Sequence, residues 1–344
     1  MKIRTISVLW ALLLISSTAF CQSSFISDVS KRGTTAAPFL EIGQGARATA
    51  MGSAFVAIAN DESAFYWNPA GLAKLDGIGI MFDHTNWLAD VGYNFLAASY
   101  NLGGLGTVGL SFTSSSYGDM KVTTVDNPNG TGQIFTASDI AFSVGYGINL
   151  TDNFSIGFNP KVIYQSIWEA SATGFAVDMG VLYKTPFDGI VLGMSISNFG
   201  TKMQMQGGSL LVTYDPDPTT IGNNGNIPAY LGTDSWSLPL NFRVGLAYSP
   251  ISTDMHKFTI DVDALHPSDN YESVNVGAEY VFDNIVSIRG GYKSLFLSSS
   301  EESYTLGFGL KKVLMGNVAM ELDYAYQDFG RLGYIQKFTV GIGF

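Results

Sequence analysis

DIAFSVGYGINL, residues 139–150, sets Ile140, Phe142, Val144, Tyr146 and Ile148 at every second position, with Ser143, Gly145, Gly147 and Asn149 between them. Successive side chains of a strand point to opposite faces, so this pattern reads as a strand with one apolar, aromatic face and one small or polar face. The period recurs in FAVDMGVLY (175–183), LPLNFRVGLAY (238–248), VNVGAEYVF (274–282), YTLGFGL (304–310), VAMELDYAY (318–326) and KFTVGIGF (337–344). It predicts about fourteen strands, near 77–84, 94–102, 105–115, 138–150, 154–166, 173–184, 190–198, 238–249, 256–264, 271–282, 285–294, 304–312, 317–328 and 337–344.

Two architectures compete, a secreted soluble β-protein and a transmembrane barrel. Many of the runs exceed the five or six residues usual in soluble sheets and match the roughly 9–11 that a tilted strand needs to cross a bilayer. Lys161, Asp178, Arg243, Asp261, Asp263, Glu279, Arg289, Lys293, Lys311, Glu321 and Asp323 all fall on the small or polar parity. A charge facing lipid at mid-membrane costs about 2–4 kcal/mol for Arg or Lys, and a lumen position carries no such penalty. The connections after even strands are short (NLGG, TDN, TPFDG, SPISTDM, DN and VLMGN). Those after odd strands are mostly longer, above all 116–137 and 199–237, and this alternation separates periplasmic turns from extracellular loops. The fold expected is all-β: a transmembrane antiparallel β-barrel of about fourteen strands.

Composition agrees. Only 14% of residues are charged, against about 25% in typical soluble proteins. The net charge of −11 argues against nucleic acid as a partner, which needs a basic footprint. Lys2 and Arg4, the apolar run 6–15, and Ala19 and Cys21 read as a signal peptide over 1–21, cut before Gln22. Cys21 invites a lipoprotein reading, which the bulky Phe20 before it fits poorly. The mature chain then has no cysteine and no disulfide. QKFTVGIGF ends on Phe344 with Phe338, Val340 and Ile342 on one face, an ending of the kind read by the barrel-insertion machinery or an ordinary closing strand.

Residues 36–76 break the strand rule, so 22–76 is expected as an N-terminal plug segment, leaving 77–344 for the barrel. GARATAMGSAFVAIAN (45–60) has a spacing that allows a short helix. In YWNPAGLA (66–73), Pro69 fixes its own φ and biases Asn68 toward an extended or turn conformation. A fourteen-stranded barrel is too wide to be filled by its own side chains, so this segment is expected in the lumen as a partly helical plug.

The stretch PFLEIGQGARATAMGSAFVAIANDESAFYWNPAGLA, residues 38–73, resembles the N-terminal region of the PorV/PorQ family, a branch of the FadL-like outer-membrane barrels. The resemblance rests on Gly45-Ala46-Arg47, Met51-Gly52, Ala57, Asp61, Ser63 and Tyr66-Trp67-Asn68-Pro69-Ala70. It implies fourteen strands with an N-terminal hatch, in the outer membrane of a Gram-negative, Bacteroidetes-like bacterium. PorV-type members serve type IX secretion, binding secreted cargo and passing it to the cell-surface attachment machinery. FadL-type members move hydrophobic small molecules. The first role is the leading expectation and the second the alternative. Tyr66 and Trp67 are expected to pack the plug on the wall, with Asn68-Pro69 setting a turn.

No catalytic constellation is visible and no cofactor is implied. His84, His256 and His266 lack metal-ligand spacing, and GGLG (103–106) precedes a strand rather than a phosphate-binding helix. The carboxylate pairs Asp261/Asp263 and Glu321/Asp323, with Arg243, Arg289 and Lys293 near them in sheet order, read as a solvated lumen network. Pro160 falls near mid-membrane and removes a ladder donor, so a kink is expected there, either a lateral opening or a tolerated irregularity. Segment 199–237, with KMQMQGG, YDPDP, Tyr230 and Trp236, suits an adaptable protein-binding surface or a flexible loop without a partner.

Overall fold

In the computed structural model, fourteen long antiparallel strands close into one ring. The structure describes residues 31–222, 225–314 and 318–344; the signal peptide expected over 1–21 lies outside them. The strands are β1 (Ile78–Asn86), β2 (Gly92–Asn101), β3 (Thr107–Lys121), β4 (Ile134–Thr151), β5 (Phe154–Ile167), β6 (Ala170–Lys184) and β7 (Ile190–Gly200). They continue as β8 (Asn241–Ser252), β9 (His256–Pro267), β10 (Ser273–Phe282), β11 (Val286–Leu295), β12 (Tyr304–Val313), β13 (Ala319–Asp328) and β14 (Tyr334–Gly343). Each strand pairs with its sequence neighbours, and β1 pairs with β14, so the sheet has no open edge. Closure gives every spanning strand a pairing partner on both sides, which is what lipid demands.

The apolar parity points outward. Phe82, Leu96, Phe112, Phe142, Phe158, Leu246 and Phe308 are all exposed, which in water would be a large unfavourable surface and in lipid is the required one. Tyr304, Tyr326 and Tyr334 form an aromatic row on β12–β14, with centroids 6.1 and 5.3 Å apart, at the strand ends away from Phe344. Tyrosine pairs an apolar ring with a polar tip and suits a membrane–water boundary. His256 and His266 mark opposite ends of β9.

The loops differ from expectation in one respect. Residues 116–121 and 134–137 continue β3 and β4 as a tall hairpin, so the true connection is 122–133. β5 and β6 rise with them and turn through Trp168 and Glu169 alone. Cross-strand pairing extends wherever partners face each other, and a polar run such as Ser114-Ser115-Ser116 hides that from a periodicity argument.

Residues 36–75 fill the ring. The segment contains a 3₁₀ turn (Pro38–Glu41), a short helix (Ala46–Ala50), a second (Ala64–Trp67) and another 3₁₀ turn (Pro69–Lys74). Met51, Phe55, Phe65, Trp67 and Leu72 are buried with Phe95 and Met81 of the wall. Pairs of glycines on adjacent strands receive the plug backbone. Gly277 and Gly291 pair across β10–β11 beneath Met51-Gly52, and Gly193 and Gly245 pair across β7–β8 beneath Val56-Ala57. Gly157 and Gly180 pair across β5–β6 beneath Asn68-Pro69-Ala70. A Cβ at five of these sites would collide with plug atoms, and at Gly245 it would meet Asp263 of the wall and crowd Val56-Ala57. Glycine within a strand commonly marks such an approach of another backbone.

Gly157→Val is therefore expected to lift the plug while the strands persist, costing about 1–3 kcal/mol of overpacking strain. Limited proteolysis within 36–75 should accelerate, with heat-modifiable gel migration of the barrel retained.

Candidate functional site

The sequence motif YWNPA forms the hinge of the plug on the wall. Asn68 is fully buried and extended (φ −162°, ψ 103°), as the residue before a proline prefers. Its Nδ2 donates to the carbonyls of Val56 (2.8 Å) and of Val181 in β6 (3.0 Å), and its Oδ1 accepts from the Ala70 amide (3.1 Å). One side chain thus ties two plug segments and one wall strand. Pro69 opens the following 3₁₀ turn, where its missing N–H has no role to lose. Trp67 Nε1 donates to Gln44 O at 2.7 Å, and the Trp67 ring packs edge-on against Phe55 and Tyr66. The Tyr66 hydroxyl donates to Glu41 O at 3.0 Å.

Asp178, Arg243, Asp261, Asp263, Glu279, Arg289 and Asp323 are buried rather than solvated, because the lumen they face is occupied by the plug. Arg47 places Nε and Nη2 on the two oxygens of Glu279 in β10 at 2.8 and 2.9 Å, and Nη1 on Asn60 and Asp61 at 2.6 and 3.1 Å. Glu279 also accepts from Arg289 of β11 at 2.7 Å, and Arg289 reaches Asp323 of β13. The result is a five-member line from plug to wall, Asp61–Arg47–Glu279–Arg289–Asp323, with alternating sign. Breaking one member of such a buried line leaves an uncompensated charge, costing about 3–5 kcal/mol.

The remaining positions separate. Asp263 of β9 accepts the amides of Phe55 and Val56 at 2.8 and 3.0 Å, serving as a wall anchor. Asp261, two residues away, is buried with no side-chain hydrogen bond to either oxygen. Asp178 pairs with Lys161 at 2.8 Å and accepts the Asn198 amide at 2.7 Å. An irregularity in the β6–β7 register and the left-handed Asn198 (φ 63°) aim that amide inward. Lys293 turns to Glu302 at 2.5 Å, and Glu321 to Lys311 at 3.5 Å. Sequence reasoning passed over Asp83 and Lys337, which are both buried and form an ion pair at 3.3 Å between β1 and β14. The Lys337 ammonium also donates to Gly43 O of the plug. Lys337 sits on the inward parity of the last strand, and that is the signal by which it could have been found.

At Pro160 the β4–β5 register passes unshifted, while the opposed positions Val144/Pro160 and Gly145/Asn159 lack ladder pairing. Pairing with β6 is continuous, Pro160 facing Val177. Pro160 has no N–H to offer β4. On the lumen side Asn159 Nδ2 donates to Phe65 O (3.0 Å) and Asp178 (3.1 Å), so the plug backs the lapse. The cavity beside it, lined by Phe65, Asn159, Lys161 and Asp178 among others, holds ≈ 30 Å³, about the space of one or two waters.

Toward the ends of β7–β11 remote from Phe344 lies a larger vestibule of ≈ 280 Å³, floored by Leu40, Glu41, Tyr66 and Trp67 of the plug. Arg243 of β8 sits in its floor, its guanidinium 5.0 and 5.2 Å from the Tyr66 and Trp67 ring centres. Asp269 and Asn270, in the connection after β9, stand at its mouth. Glu41 is exposed by area, but what it faces is this confined space rather than bulk solvent. Desolvation there, then the neighbouring Asp269 carboxylate, pushes its pKa from the ordinary 4.5 up to about 8.

The methionines of segment 199–237 do not form an exposed face. Met203 and Trp236 exchange backbone hydrogen bonds at 2.9 Å, which draws Met203 into the buried cluster of Phe39, Leu40, Tyr93 and Ile163. The outward residues of the segment are Leu211, Tyr214, Ile221, Tyr230, Leu231 and Trp236. Leu211–Tyr214 and Ile227–Tyr230 pair as a separate hairpin.

Two measurements follow from the hinge and the vestibule. Asn68→Ala removes three hydrogen bonds and strands two buried carbonyls, so the plug should loosen by about 2–4 kcal/mol; a rise in ion conductance in planar bilayers would report it. The folded state holds the Glu41 proton more tightly than the unfolded chain, so this group's stabilisation is full below pH 4.5 and is lost as pH rises through about 8. Melting temperature should fall over that window in the wild type, and Glu41→Gln should flatten the fall.

Comparison with known proteins places this geometry. The family model for the type IX secretion system protein PorV matches residues 27–210, just over half of the chain. No curated protein matches. Among solved structures, the chain is similar to the Pseudomonas putida toluene transporter TodX (TM-score 0.54, 14% identity, 87% of this chain and 97% of that one). It is also similar to the Ralstonia pickettii toluene transporter TbuX (0.52, 12%, 87% and 97%) and a Pseudomonas aeruginosa FadL homologue (0.50, 13%, 84% and 95%). At such identities the likeness carries the fold alone, that of the FadL-like barrels. The match over the plug and the first seven strands carries more: the chain belongs to the PorV family of type IX secretion system proteins.

Proposed function

We propose that this barrel is a non-catalytic component of type IX protein secretion and cell-surface attachment, in the outer membrane of a Bacteroidetes-like bacterium. The observation that carries the reading is segment 201–240, which raises a hairpin with exposed Leu211, Tyr214, Ile221, Tyr230 and Leu231 over a lumen already filled by the plug. Clustered apolar and aromatic residues on a surface outside the lipid mark a protein-docking face. The base of the segment is pinned by Met203–Trp236 and by Gln206–Gly207 against β6, so the hairpin is presented from a fixed point. A partner here would be a secretion-system subunit or a cargo protein. The last strand, with Phe338, Ile342 and Phe344 outward, is the segment the barrel-insertion machinery would read.

A second reading is a channel for hydrophobic small molecules. It draws support from the unpaired stretch at Pro160 and from the toluene transporters that share the fold. Against it stands the plug, which ties its backbone and its ion line to the wall and leaves only a water-sized cavity beside Pro160.

Affinity purification from membranes in mild detergent distinguishes them. Wild-type protein should bring down export-machinery subunits, and a variant with 208–232 replaced by a short Gly-Ser link should lose them. Unchanged co-purification would overturn the hairpin as the docking face, and a hydrophobic small molecule recovered without protein partners would overturn the secretion reading.

A further inference from the structure

The mouth of the lumen on the side of the short turns holds two lysines without a counter-ion. The 3₁₀ turn Pro69–Lys74 ends the plug on β4–β6, over Gly147, Gly157 and Gly180. Lys74 Nζ donates to Asn149 Oδ1 at 2.9 Å. Asn149 is itself held, its Oδ1 accepting from Ser155 Oγ at 2.7 Å and its Nδ2 donating to Ala73 O at 2.8 Å. The Lys74 ammonium is therefore fixed beside β4. Lys184 ends β6 on the inward parity of Asp178, Gly180 and Leu182, and its amide donates to Asn153 O at 2.8 Å. The β4 and β6 backbones stand about 10 Å apart, two strand spacings, a gap that two lysine side chains can close. Desolvation, and then the neighbouring Lys184 ammonium, hold the Lys74 pKa below its ordinary 10.5. Both lysines are exposed, and neither forms an ion pair among the described residues. Asp76, Asp152 and Asp188 of the flanking segments all lie beyond ion-pair distance, whereas Lys311 at the same end of the barrel has Glu321. On a chain of net charge −11, an unmatched pair of cations is a local reversal of sign that favours an anion.

The outer surface beside the pair is apolar. Leu105, Leu150 and Phe187, at the turns after β2, β4 and β6, are exposed, and so is Tyr183 on the lipid-facing parity next to Lys184. Only the tight Asp152-Asn153 turn separates this face from the two lysines. We propose that Lys74 and Lys184 bind the phosphate of an anionic phospholipid from the periplasmic leaflet. Its acyl chains lie on Leu150, Tyr183 and Phe187, and its head folds over the Asp152-Asn153 turn. A phosphate presents several charged oxygens and so faces two ammonium groups at once. A zwitterionic lipid brings a cation of its own, which the lysines repel. Free phosphate would meet the lysines but gain nothing from the apolar rim. An acidic segment of a periplasmic protein would enter from the mouth and leave the rim to lipid. Because Lys74 belongs to the plug and Lys184 to the wall, one bound head ties both to the membrane surface. The proposal does not rest on the secretion reading.

Native mass spectrometry of the full-length mature barrel in mild detergent tests the site without any export component. The probes are phosphatidylglycerol, phosphatidylcholine with the same acyl chains, and inorganic phosphate. The wild type should retain phosphatidylglycerol about fivefold or more over phosphatidylcholine. Lys74→Gln and Lys184→Gln should each lower that retention about fivefold, the effect of one lysine at a charged lipid surface, and the double variant should lose the preference. Lys74→Gln keeps an N–H for Asn149, so the melting temperature should hold. Lys312→Gln, at the end of β12, should leave retention unchanged. Equal retention of the two lipids, or unchanged retention in the double variant, would overturn the proposal. An equal loss in Lys312→Gln would also overturn it, since net charge rather than this pair would then be at work. Displacement of phosphatidylglycerol by inorganic phosphate at equal concentration would make this a site for soluble phosphate and overturn the lipid assignment. Should the double variant not fold, the lipid preference of the wild type and the single variants still decide.

Discussion

The structure depends on direct contact between the plug backbone and the barrel wall. At Gly277/Gly291, Gly193/Gly245 and Gly157/Gly180 the wall glycines add no side chain of their own and let the plug approach closely. Each pair spans adjacent strands at one register level, so it makes a flat two residues wide on which a turn of chain can rest. The plug has little regular structure of its own to hold its shape, its helices being four and five residues long. Its conformation is therefore set by what it rests on and by the wall groups that satisfy its amides and carbonyls, as Asp263 and Thr305 do.

That occupancy changes the meaning of the lumen charges. In an open channel, carboxylates and guanidinium groups on the inner face would be hydrated and cheap. Under the plug they are desolvated, and the wall answers with a line of alternating sign from Asp61 to Asp323 and with the Asp83–Lys337 pair at the β1–β14 closure. Buried ionic lines fix register and orientation more than they add net stability. Here they lock the rotational setting of the plug against particular strands. Arg243 stands outside these lines, where the plug surface meets the vestibule.

Much of the fold was legible because a barrel wall has two chemically opposite faces. Phe142, Val144 and Tyr146 must meet lipid, and Ser143 and Gly145 must not, so the period of two survives along every spanning strand. All fourteen strands were found on that ground. The tall β3–β4 hairpin was missed because its upper half leaves the membrane, where neither face is obliged to be apolar. The methionines of 203–205 were misplaced for a related reason: loop composition does not reveal that a bridge to Trp236 pulls Met203 into the core.

By itself the sequence determined the strands, their inward and outward faces, the closed antiparallel wall and the family motif in residues 38–73. All of these follow from local period and from the cost of a charge or an unpaired strand edge in lipid. Tertiary structure alone decided which inward glycines are sockets and which carboxylates pair. Those outcomes depend on which plug atom arrives at which rung of the wall, a relation between residues some two hundred positions apart that no local pattern encodes.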